Sequence, residues 1–328
     1  MESKLPDGIY DIAIVGGGVV GFAAAMYAGR FNLKTILFGD SLGGTIILTD
    51  VVENYPGFKR VTGLELAKAL EEHAREYDVE IKEEKVAKVE GSGNCYRLWD
   101  ESGGSYYSKA IIFATGTKVR KLGVPGEEEY ANRGVHYCAL CDGPIYKDKA
   151  LAVVGGSDSA AKEALLLSQF GRKVYIIYRG ENIRPEPING ERVARNPKIE
   201  VITQTNVKEI KGKDGKIAHL VLDKPYKGNN IFPVDAVFIE IGHLPLSDLA
   251  KGLGVKLNGK GEIIIDRESK TNIPGIFAAG DVVDTKFKQA ITGVGEAVSA
   301  CYSAYQYINT TELVCLVGDG AQNRNSKA

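Results

Sequence analysis

Two closely spaced cysteines are the residues of this chain best suited to chemistry. Cys138 and Cys141 are separated by Ala-Leu and followed at once by Asp142, whereas the remaining cysteines are isolated in the sequence, at Cys95, Cys301 and Cys315. A redox-active pair is favoured, because this spacing closes a disulfide in a short loop that is readily reduced and re-formed. Asp142 is then placed to exchange a proton with a neighbouring thiolate.

Two other interpretations of these cysteines stay open. A zinc site would need four ligands, and neither a second CxxC nor a pair of histidines accompanies this one, although His136 and a distant cysteine could be recruited. An incidental pair of core cysteines is the other alternative. We predict no metal.

A glycine-rich turn near the start of the chain has the pattern of a dinucleotide-binding site. The apolar run 11–15 predicts a buried strand, the Ala-rich stretch 22–31 predicts a helix, and between them Gly16, Gly18 and Gly21 fit GxGxxG. The glycines permit a tight turn, close approach to a pyrophosphate and close packing of the helix on the strand. The acidic residue that usually ends the second strand is absent, because Gly39 stands there. Asp40, one position further on, is the candidate for binding the ribose.

A second strand, turn and helix follow further along the chain. Here the strand 150–154 leads into a turn with Gly155, Ser157, Asp158 and Ser159, and then into a helix over 161–170. Ser157 replaces the second glycine, so a side chain stands where a pyrophosphate would approach the backbone. Arg179 and Arg184 follow the next strand and suit the 2′-phosphate of NADPH; two solvated surface arginines are the alternative. Pro185 and Pro187 interrupt a stretch that would otherwise be helical.

The two glycine turns predict the organisation of the whole chain. A length of 328 residues suits two domains, and 39 glycines without a collagen period suit tight turns. Lysine and arginine (41) balance aspartate and glutamate (42), without the basic patch of a nucleic-acid-binding protein. Neither a 20-residue apolar segment nor a signal-peptide pattern at residues 1–6 is present, so a cytoplasmic protein is expected.

Several motifs together make the chain resemble a known family. In order they are the turn 16–21, Gly43-Gly44, the segment 53–57 (ENYPG), Ala114-Thr115-Gly116, the segment 138–143 (CALCDG), Ile241-Gly242-His243, the segment 278–281 (AAGD) and the segment 288–291 (KQAI). From about Tyr10 to Ile308 the chain resembles the low-molecular-weight thioredoxin reductases, flavoproteins of the pyridine nucleotide-disulfide oxidoreductase class. No single motif decides this, but their order and spacing do.

The resemblance implies a fold and a division into domains. It implies an α/β protein with two doubly wound, Rossmann-like nucleotide-binding domains, the second inserted into the first. The FAD-binding domain would comprise 1–122 and 245–328, and the NAD(P)H-binding domain that carries the CxxC would comprise 123–244. The crossings at 122–126 and 241–245 are rich in Gly and Pro and suited to hinges. A homodimer is expected from the resemblance alone.

The resemblance also assigns roles to residues around FAD. Asn54 would face the flavin, Asp281 would bind the ribityl or phosphate region, and Gln289 and Ala290 would cover the isoalloxazine. Thr45 stands where the family usually has Gln. The predicted FAD set is Gly16, Gly18, Gly21, Asp40, Gly44, Thr45, Asn54, Ala114, Thr115, Gly116, Asp281, Gln289 and Ala290.

The implied reaction passes electrons from NADPH through FAD and the Cys138–Cys141 dithiol to thioredoxin or a glutaredoxin-like protein. Cys141 would be the sulfur nearer the flavin, Cys138 the attacking thiolate and Asp142 the acid–base residue. The predicted NADPH set is Gly155, Ser157, Asp158, Ser159, Arg179 and Arg184. NADH or a donor other than a nicotinamide, a flavin oxidase with vestigial cysteines, and a nucleotide-binding sensor without turnover are the alternatives.

Overall fold

The computed structural model describes residues 8–92 and 95–311, which form two compact units. The outer unit combines the chain up to Thr117 with the chain from Pro245 onward, and the inserted unit comprises Lys118–Leu244. Residues 1–6, on which the prediction about a signal peptide rests, lie outside the described residues. Among the described helices, none is long and apolar enough to cross a membrane.

The outer unit begins with the predicted strand, turn, helix and strand. Its elements are β1 (Tyr10–Val15), α1 (Val19–Arg30), β2 (Thr35–Phe38), α2 (Gly63–Arg75), β3 (Val79–Lys82), β4 (Val86–Ser92), β5 (Cys95–Asp100) and β6 (Ser105–Phe113). The two boundaries between the units fall within the short strands β7 (Thr117–Val119) and β16 (His243–Pro245), and the outer unit then continues with α6 (Asp248–Gly252), β17 (Ile276–Ala278) and α7 (Ala290–Thr310).

The outer unit is built on one seven-stranded sheet. Its order is β3-β2-β1-β6-β5-β4, with β17 paired to β6. Strands β1, β2, β3, β6 and β17 are mutually parallel, whereas β4, β5 and β6 form an antiparallel meander. The strand order reverses beside β1, and ligands of open α/β sheets bind outside the carboxyl ends of strands at such a point.

The inserted unit repeats this plan on a smaller sheet. Its elements are β8 (Val135–His136), α3 (Ala139–Asp142), β9 (Ala150–Val154), α4 (Asp158–Phe170), β10 (Lys173–Ile177), α5 (Pro187–Arg195), β11 (Ile199–Ile202), β12 (Val207–Lys213), β13 (Lys216–Tyr226), β14 (Asn229–Pro233) and β15 (Ala236–Ile239). A parallel sheet has the order β11-β10-β9-β15-β8, and β12, β13 and β14 form an antiparallel sheet.

The predicted α/β class with two parallel nucleotide-binding sheets is confirmed, with differences in detail. The first boundary between the units falls after Thr117 rather than after Leu122. Pro187 begins α5 instead of interrupting a helix, because the first helical position needs no hydrogen-bonding N–H.

A buried carboxylate fixes the backbone near the start of the inserted unit. Glu127 is 2% exposed and accepts hydrogen bonds from the N–H groups of Leu122 (2.8 Å) and Gly123 (2.5 Å). The Tyr137 hydroxyl donates to the same carboxylate at 2.7 Å, and burial together with this acceptor raises the pKa of Tyr137. Residues 122–123 are therefore fastened to the segment that leads into Cys138.

We expect Glu127→Ala to destabilise the inserted unit by about 3 kcal/mol, because two backbone N–H groups and a buried hydroxyl lose a charged acceptor. Hydrogen exchange at the amides of 120–130, read by mass spectrometry, measures the change locally. Glu128→Ala is the matched control, since that side chain is 81% exposed and paired only with Lys121. Equal exchange in the two variants would contradict the role given to Glu127.

Candidate active site

The predicted pair of cysteines is a disulfide in the structure. The bond joins Cys138, the N-cap of the short helix α3, to Cys141 within that helix, with the Cα atoms 5.5 Å apart. Cys138 is 8% exposed, whereas Cys141 is exposed. The Cys141 N–H donates to the Cys138 sulfur at 3.1 Å. One sulfur therefore faces solvent while the other is covered and already has a hydrogen-bond donor.

A buried histidine lies beside Asp142. His136 is 2% exposed; its Nε2 lies 2.7 Å from the Tyr146 hydroxyl and its Nδ1 lies 3.0 Å from Asp142 Oδ2. The imidazole also stacks on Phe238, with ring centroids 5.3 Å apart. The sequence suggests His136 only as a recruited zinc ligand. Its position in the short buried strand β8, two residues before Cys138, is the signal that marks it.

Burial lowers the pKa of His136, and the nearby Asp142 carboxylate only partly opposes this effect. The imidazole is therefore neutral near pH 7 and has a single N–H to donate. The pKa of His136 is depressed in the folded state, so its neutral form is compatible with folding above pH 6.5, the ordinary pKa of histidine. As the pH falls below that value, protonation of the unfolded chain lowers the stability of the folded protein.

Two half-buried carboxyl groups lie close to the dithiol segment and the second glycine turn. Glu163, on α4, accepts a hydrogen bond from the Ala139 N–H at 2.6 Å, which partly offsets the burial that raises its pKa to about 7. Glu240 follows β15, and burial, followed by repulsion from Glu163, raises its pKa to about 8. The pair is hence partly protonated at neutral pH. Neither residue stands out in the sequence.

The first glycine turn has the close backbone contacts that predict pyrophosphate binding. A Cβ on Gly16 would lie 2.1 Å from the Ala114 oxygen, and one on Gly21 would lie 1.8 Å from the Gly16 oxygen. No side chain caps α1, whose N-cap is Gly18, so the N–H groups of its first turn are left for a phosphate. This turn therefore fits the pyrophosphate of a dinucleotide such as FAD.

Other predicted FAD residues lie around this turn. Gly18 pairs with Gly43 in an isolated bridge, and a Cβ on Gly44 would lie 3.0 Å from the Gly18 Cα. Thr45 continues in a 3-10 helix, Gly44–Leu48. The Thr115 hydroxyl donates to the Leu246 oxygen at 2.7 Å, next to Gly116. Asp40 is exposed just after β2.

The residues predicted to contact the flavin come from distant parts of the sequence. The Asn54 amide donates to Gln289 Oε1 at 2.9 Å, although 235 positions separate them. Gln289 is the N-cap of α7, whose first residue is Ala290. A Cβ on Gly293 would lie 3.0 Å from the Gly280 Cα, so α7 approaches the short 3-10 helix Gly280–Val282, which contains Asp281.

The second turn has the same backbone as the first but a different surface. Ser157 caps α4 with φ −88° and ψ −179°, against −84° and −177° at Gly18. Its hydroxyl lies 3.5 Å from the Ala160 N–H, one of the donors that a phosphate would use. The Asp158 carboxylate accepts from the Glu186 N–H at 2.8 Å and the Asn189 amide at 2.9 Å. Ser159 lies beside it and is exposed.

An aromatic ring fills the space beside Gly156. A Cβ on Gly156 would lie 2.4 Å from the Tyr178 ring, and one on Gly180 would lie 2.5 Å from the same ring. Arg184 donates to the Tyr178 hydroxyl at 3.1 Å. A side chain at either glycine would therefore require the Tyr178 ring to move.

The remaining cysteines lie away from this site in the sequence. Cys301 is a free, fully buried thiol in the core around α1 and α7, and burial raises its pKa to about 12. Cys95, which is isolated in the sequence, is disulfide-bonded. Cys315 lies outside the described residues. Within 8–92 and 95–311, no group of three or more His, Cys, Asp or Glu side chains is arranged to hold a metal ion.

Comparison with known proteins gives a consistent result. The family model described as pyridine nucleotide-disulphide oxidoreductase matches residues 10–297. The chain is 38% identical to the thioredoxin reductase of Bacillus subtilis over 92% of this chain and 95% of that protein. It resembles the crystal structure of Lactococcus lactis thioredoxin reductase with a TM-score of 0.88 and 38% identity, covering 92% of this chain and all of that one.

A longer relative is similar to the same degree. It is a component of the alkyl hydroperoxide reductase of Pseudomonas aeruginosa, 37% identical over 92% of this chain. The chain spans only 59% of the length of that protein.

We expect the inserted unit to lose stability as the pH rises from about 4.5 to about 8. The carboxyl pKa values of Glu163 and Glu240 are raised in the folded state to about 7 and about 8, so below these values each group is protonated in the folded protein but ionised in the unfolded chain, and each lowers the stability by about 1.4 kcal/mol per pH unit. Glu240→Gln removes one of the two charges and flattens this dependence, as measured by urea unfolding at each pH. Glu191→Gln, at an exposed carboxylate of α5, is the control, and parallel slopes in both variants would contradict the prediction.

Proposed function

Because the chain belongs to the low-molecular-weight thioredoxin reductases, within the pyridine nucleotide-disulphide oxidoreductases, we propose that it reduces the disulfide of thioredoxin or a glutaredoxin-like protein. NADPH is the proposed electron donor, and FAD and the Cys138–Cys141 pair are the proposed carriers. The observation that carries the proposal is the disulfide itself, with Cys141 exposed and Cys138 covered. FAD, when bound at the first glycine turn, would supply the exchange of two electrons with the nicotinamide and the disulfide.

The two sulfurs are prepared for different roles. When the disulfide is reduced, the bond between the sulfurs breaks and the Cys138 sulfur keeps an electron pair. The Cys141 N–H, at 3.1 Å, stabilises that negative charge. The Cys138 thiolate then attacks the disulfide of the partner protein to form a mixed disulfide, and Cys141 attacks Cys138 to release the reduced partner. Asp142, next in the chain, carries the proton that leaves one sulfur and returns to the other.

The covered position of Cys138 requires a movement before it can meet a protein partner. We propose that the inserted unit rotates about its two chain crossings to expose this residue. Gly116 (φ +63°) and Gly242 (φ +100°) lie at these crossings, and a Cβ at either position would meet no atom within 4 Å. Glycines with a positive φ and open space at the Cβ position can absorb a change of backbone angle.

Three further parts of the proposal rest on different grounds. The assembly as a homodimer follows from the family alone. The cytoplasmic location stays a prediction. The choice of NADPH rests on Arg179 and Arg184, cations beside the second turn that suit a 2′-phosphate. The Ser157 hydroxyl competes with a pyrophosphate for the Ala160 N–H, which favours weak nicotinamide binding and keeps NADH or another reductant as the alternative.

Replacing each active-site cysteine tests the reaction and the roles together. We expect Cys138→Ser and Cys141→Ser each to lower thioredoxin reduction at least about a thousandfold while a slow transfer of electrons to oxygen persists. Cys141→Ser should accumulate a mixed disulfide with thioredoxin through Cys138, visible by non-reducing electrophoresis, and Cys138→Ser should not. Cys301→Ala, at the buried free thiol, is the control.

Each alternative function predicts another outcome of the same experiment. Unchanged turnover in both serine variants would indicate an oxidase with vestigial cysteines. A colourless protein that takes up no FAD would favour a sensor without turnover. Trapping through Cys141 rather than Cys138 would reverse the assigned roles.

The donor is tested by anaerobic titration of the flavin with NADPH and with NADH. Arg179→Ala should lower NADPH efficiency about tenfold or more and leave NADH use unchanged, because only NADPH has the 2′-phosphate. Ser157→Gly should tighten binding of both, because it frees the Ala160 N–H and gives the pyrophosphate room. Arg195→Ala, at an exposed arginine of α5, is the matched control. Equal losses with both donors after Arg179→Ala would reassign the donor.

A further inference from the structure

The buried imidazole of His136 has no part in the reaction proposed above. We propose that His136 is a positioning residue that holds the Asp142 carboxyl for proton exchange with the Cys138–Cys141 pair. This inference rests on the proposed function, in which Asp142 is the acid–base residue. Its carrying observation is the contact of 3.0 Å between His136 Nδ1 and Asp142 Oδ2, made by a side chain that is 2% exposed.

The ring of His136 is held from several sides. In the parallel pairing of β8 with β15, His136 lies opposite Phe238, and the two rings stack at 5.3 Å. Tyr146 contacts the His136 ring edge-on at 5.3 Å and hydrogen-bonds to Nε2 at 2.7 Å. The imidazole therefore has little freedom to turn, and the direction of Nδ1 is set by the fold.

The hydrogen-bonding partners assign the proton on the ring. A neutral imidazole has one donor and one acceptor nitrogen. An ionised carboxylate can only accept, so the tautomer that suits both neighbours has the N–H on Nδ1, facing Asp142, and Nε2 accepting from the Tyr146 hydroxyl. Burial lowers the pKa of His136, in agreement with a neutral ring. Asp142 and Tyr146 are the titratable groups that face the imidazole, Phe238 faces it from β15, and Glu163 reaches from α4 to the Ala139 N–H.

The contact with Asp142 is close but not aligned. His136 Nδ1 makes no hydrogen bond of good geometry within the described residues, although Oδ2 is only 3.0 Å away. A small rotation of the Asp142 carboxyl, whose side chain is 34% exposed, would convert the contact into a hydrogen bond. In the proposed role the carboxyl alternates between the dithiol and the Nδ1–H by this rotation. A buried N–H lacking an aligned partner is costly, which argues against a purely space-filling role.

An external dithiol can reduce the Cys138–Cys141 disulfide, with Asp142 supplying a proton. The attacking thiolate forms a bond to the exposed Cys141 sulfur, the bond between Cys141 and Cys138 breaks, and the electron pair goes to the Cys138 sulfur. A protonated Asp142 gives its proton to the sulfur that leaves, and the resulting carboxylate turns to the His136 N–H. The second thiol of the external reductant then attacks the mixed disulfide and releases Cys141.

A double-mutant cycle on the holoenzyme tests whether His136 acts through Asp142. The variants are His136→Phe, which keeps a stacking ring but removes both nitrogens, Asp142→Asn, and their combination. The reaction is the reduction of Cys138–Cys141 by dithiothreitol at pH 6 to 9, quenched by alkylation and followed by mass spectrometry of the peptide containing both cysteines. His136→Phe should slow the reaction about tenfold when Asp142 is present and less than about twofold when it is Asn.

Two further variants keep the test decisive if His136→Phe does not fold. His136→Asn places an amide N–H near the position of Nδ1 and should restore the rate to within about threefold of the unaltered protein. Tyr146→Phe removes the donor to Nε2 and should slow the reaction about threefold in the Asp142 background only.

The outcomes separate this inference from the proposed function. Equal slowing by His136→Phe in both Asp142 backgrounds, or no slowing in either, would overturn the positioning role. A failure of the unaltered protein to reduce thioredoxin would refute the proposed function instead, because reduction by dithiothreitol requires neither a nucleotide donor nor a protein partner.

Discussion

The close approach of a strand end to the start of the following helix is the constraint on which the rest of the structure depends. At the first turn, a Cβ on Gly16 or Gly21 would lie 2.1 Å or 1.8 Å from a backbone carbonyl oxygen. At the second turn, a Cβ on Gly155 would lie 2.2 Å from the backbone carbonyl oxygen of Glu240. Each contact brings a helix start against the carboxyl end of a parallel sheet, and both nucleotide surfaces follow from that geometry.

The same backbone supports different surfaces at the two turns. Gly18 and Ser157 have nearly identical dihedral angles, so the serine is accommodated without strain. What differs is the chemistry offered to a phosphate, because α1 begins without a side-chain cap and the Ser157 hydroxyl lies beside an α4 donor. The Tyr178 ring packs against Gly156 and Gly180, and a Cβ on either glycine would collide with it.

The dithiol lies among buried polar groups that are all held in place by neighbours. Glu163 accepts from the residue that follows Cys138, His136 faces Asp142, and Glu127 accepts from Tyr137, which precedes Cys138. In a low-dielectric environment such groups strongly affect each other's protonation. The conformation of the dithiol loop is therefore linked to protons as well as to electrons.

The sequence by itself determined the α/β class, both glycine turns, the redox pair and the strands beside them. These features are local: a few consecutive residues specify a strand, a turn or a loop that can close a disulfide. Only the tertiary structure decided which distant residues meet: Asn54 with Gln289, His136 with Asp142, and Glu240 with Glu163. It also decided that the first segment of the outer unit ends at Thr117. Each of these depends on which strands and helices become neighbours and on how deeply they bury polar groups, and no short segment of sequence contains that information.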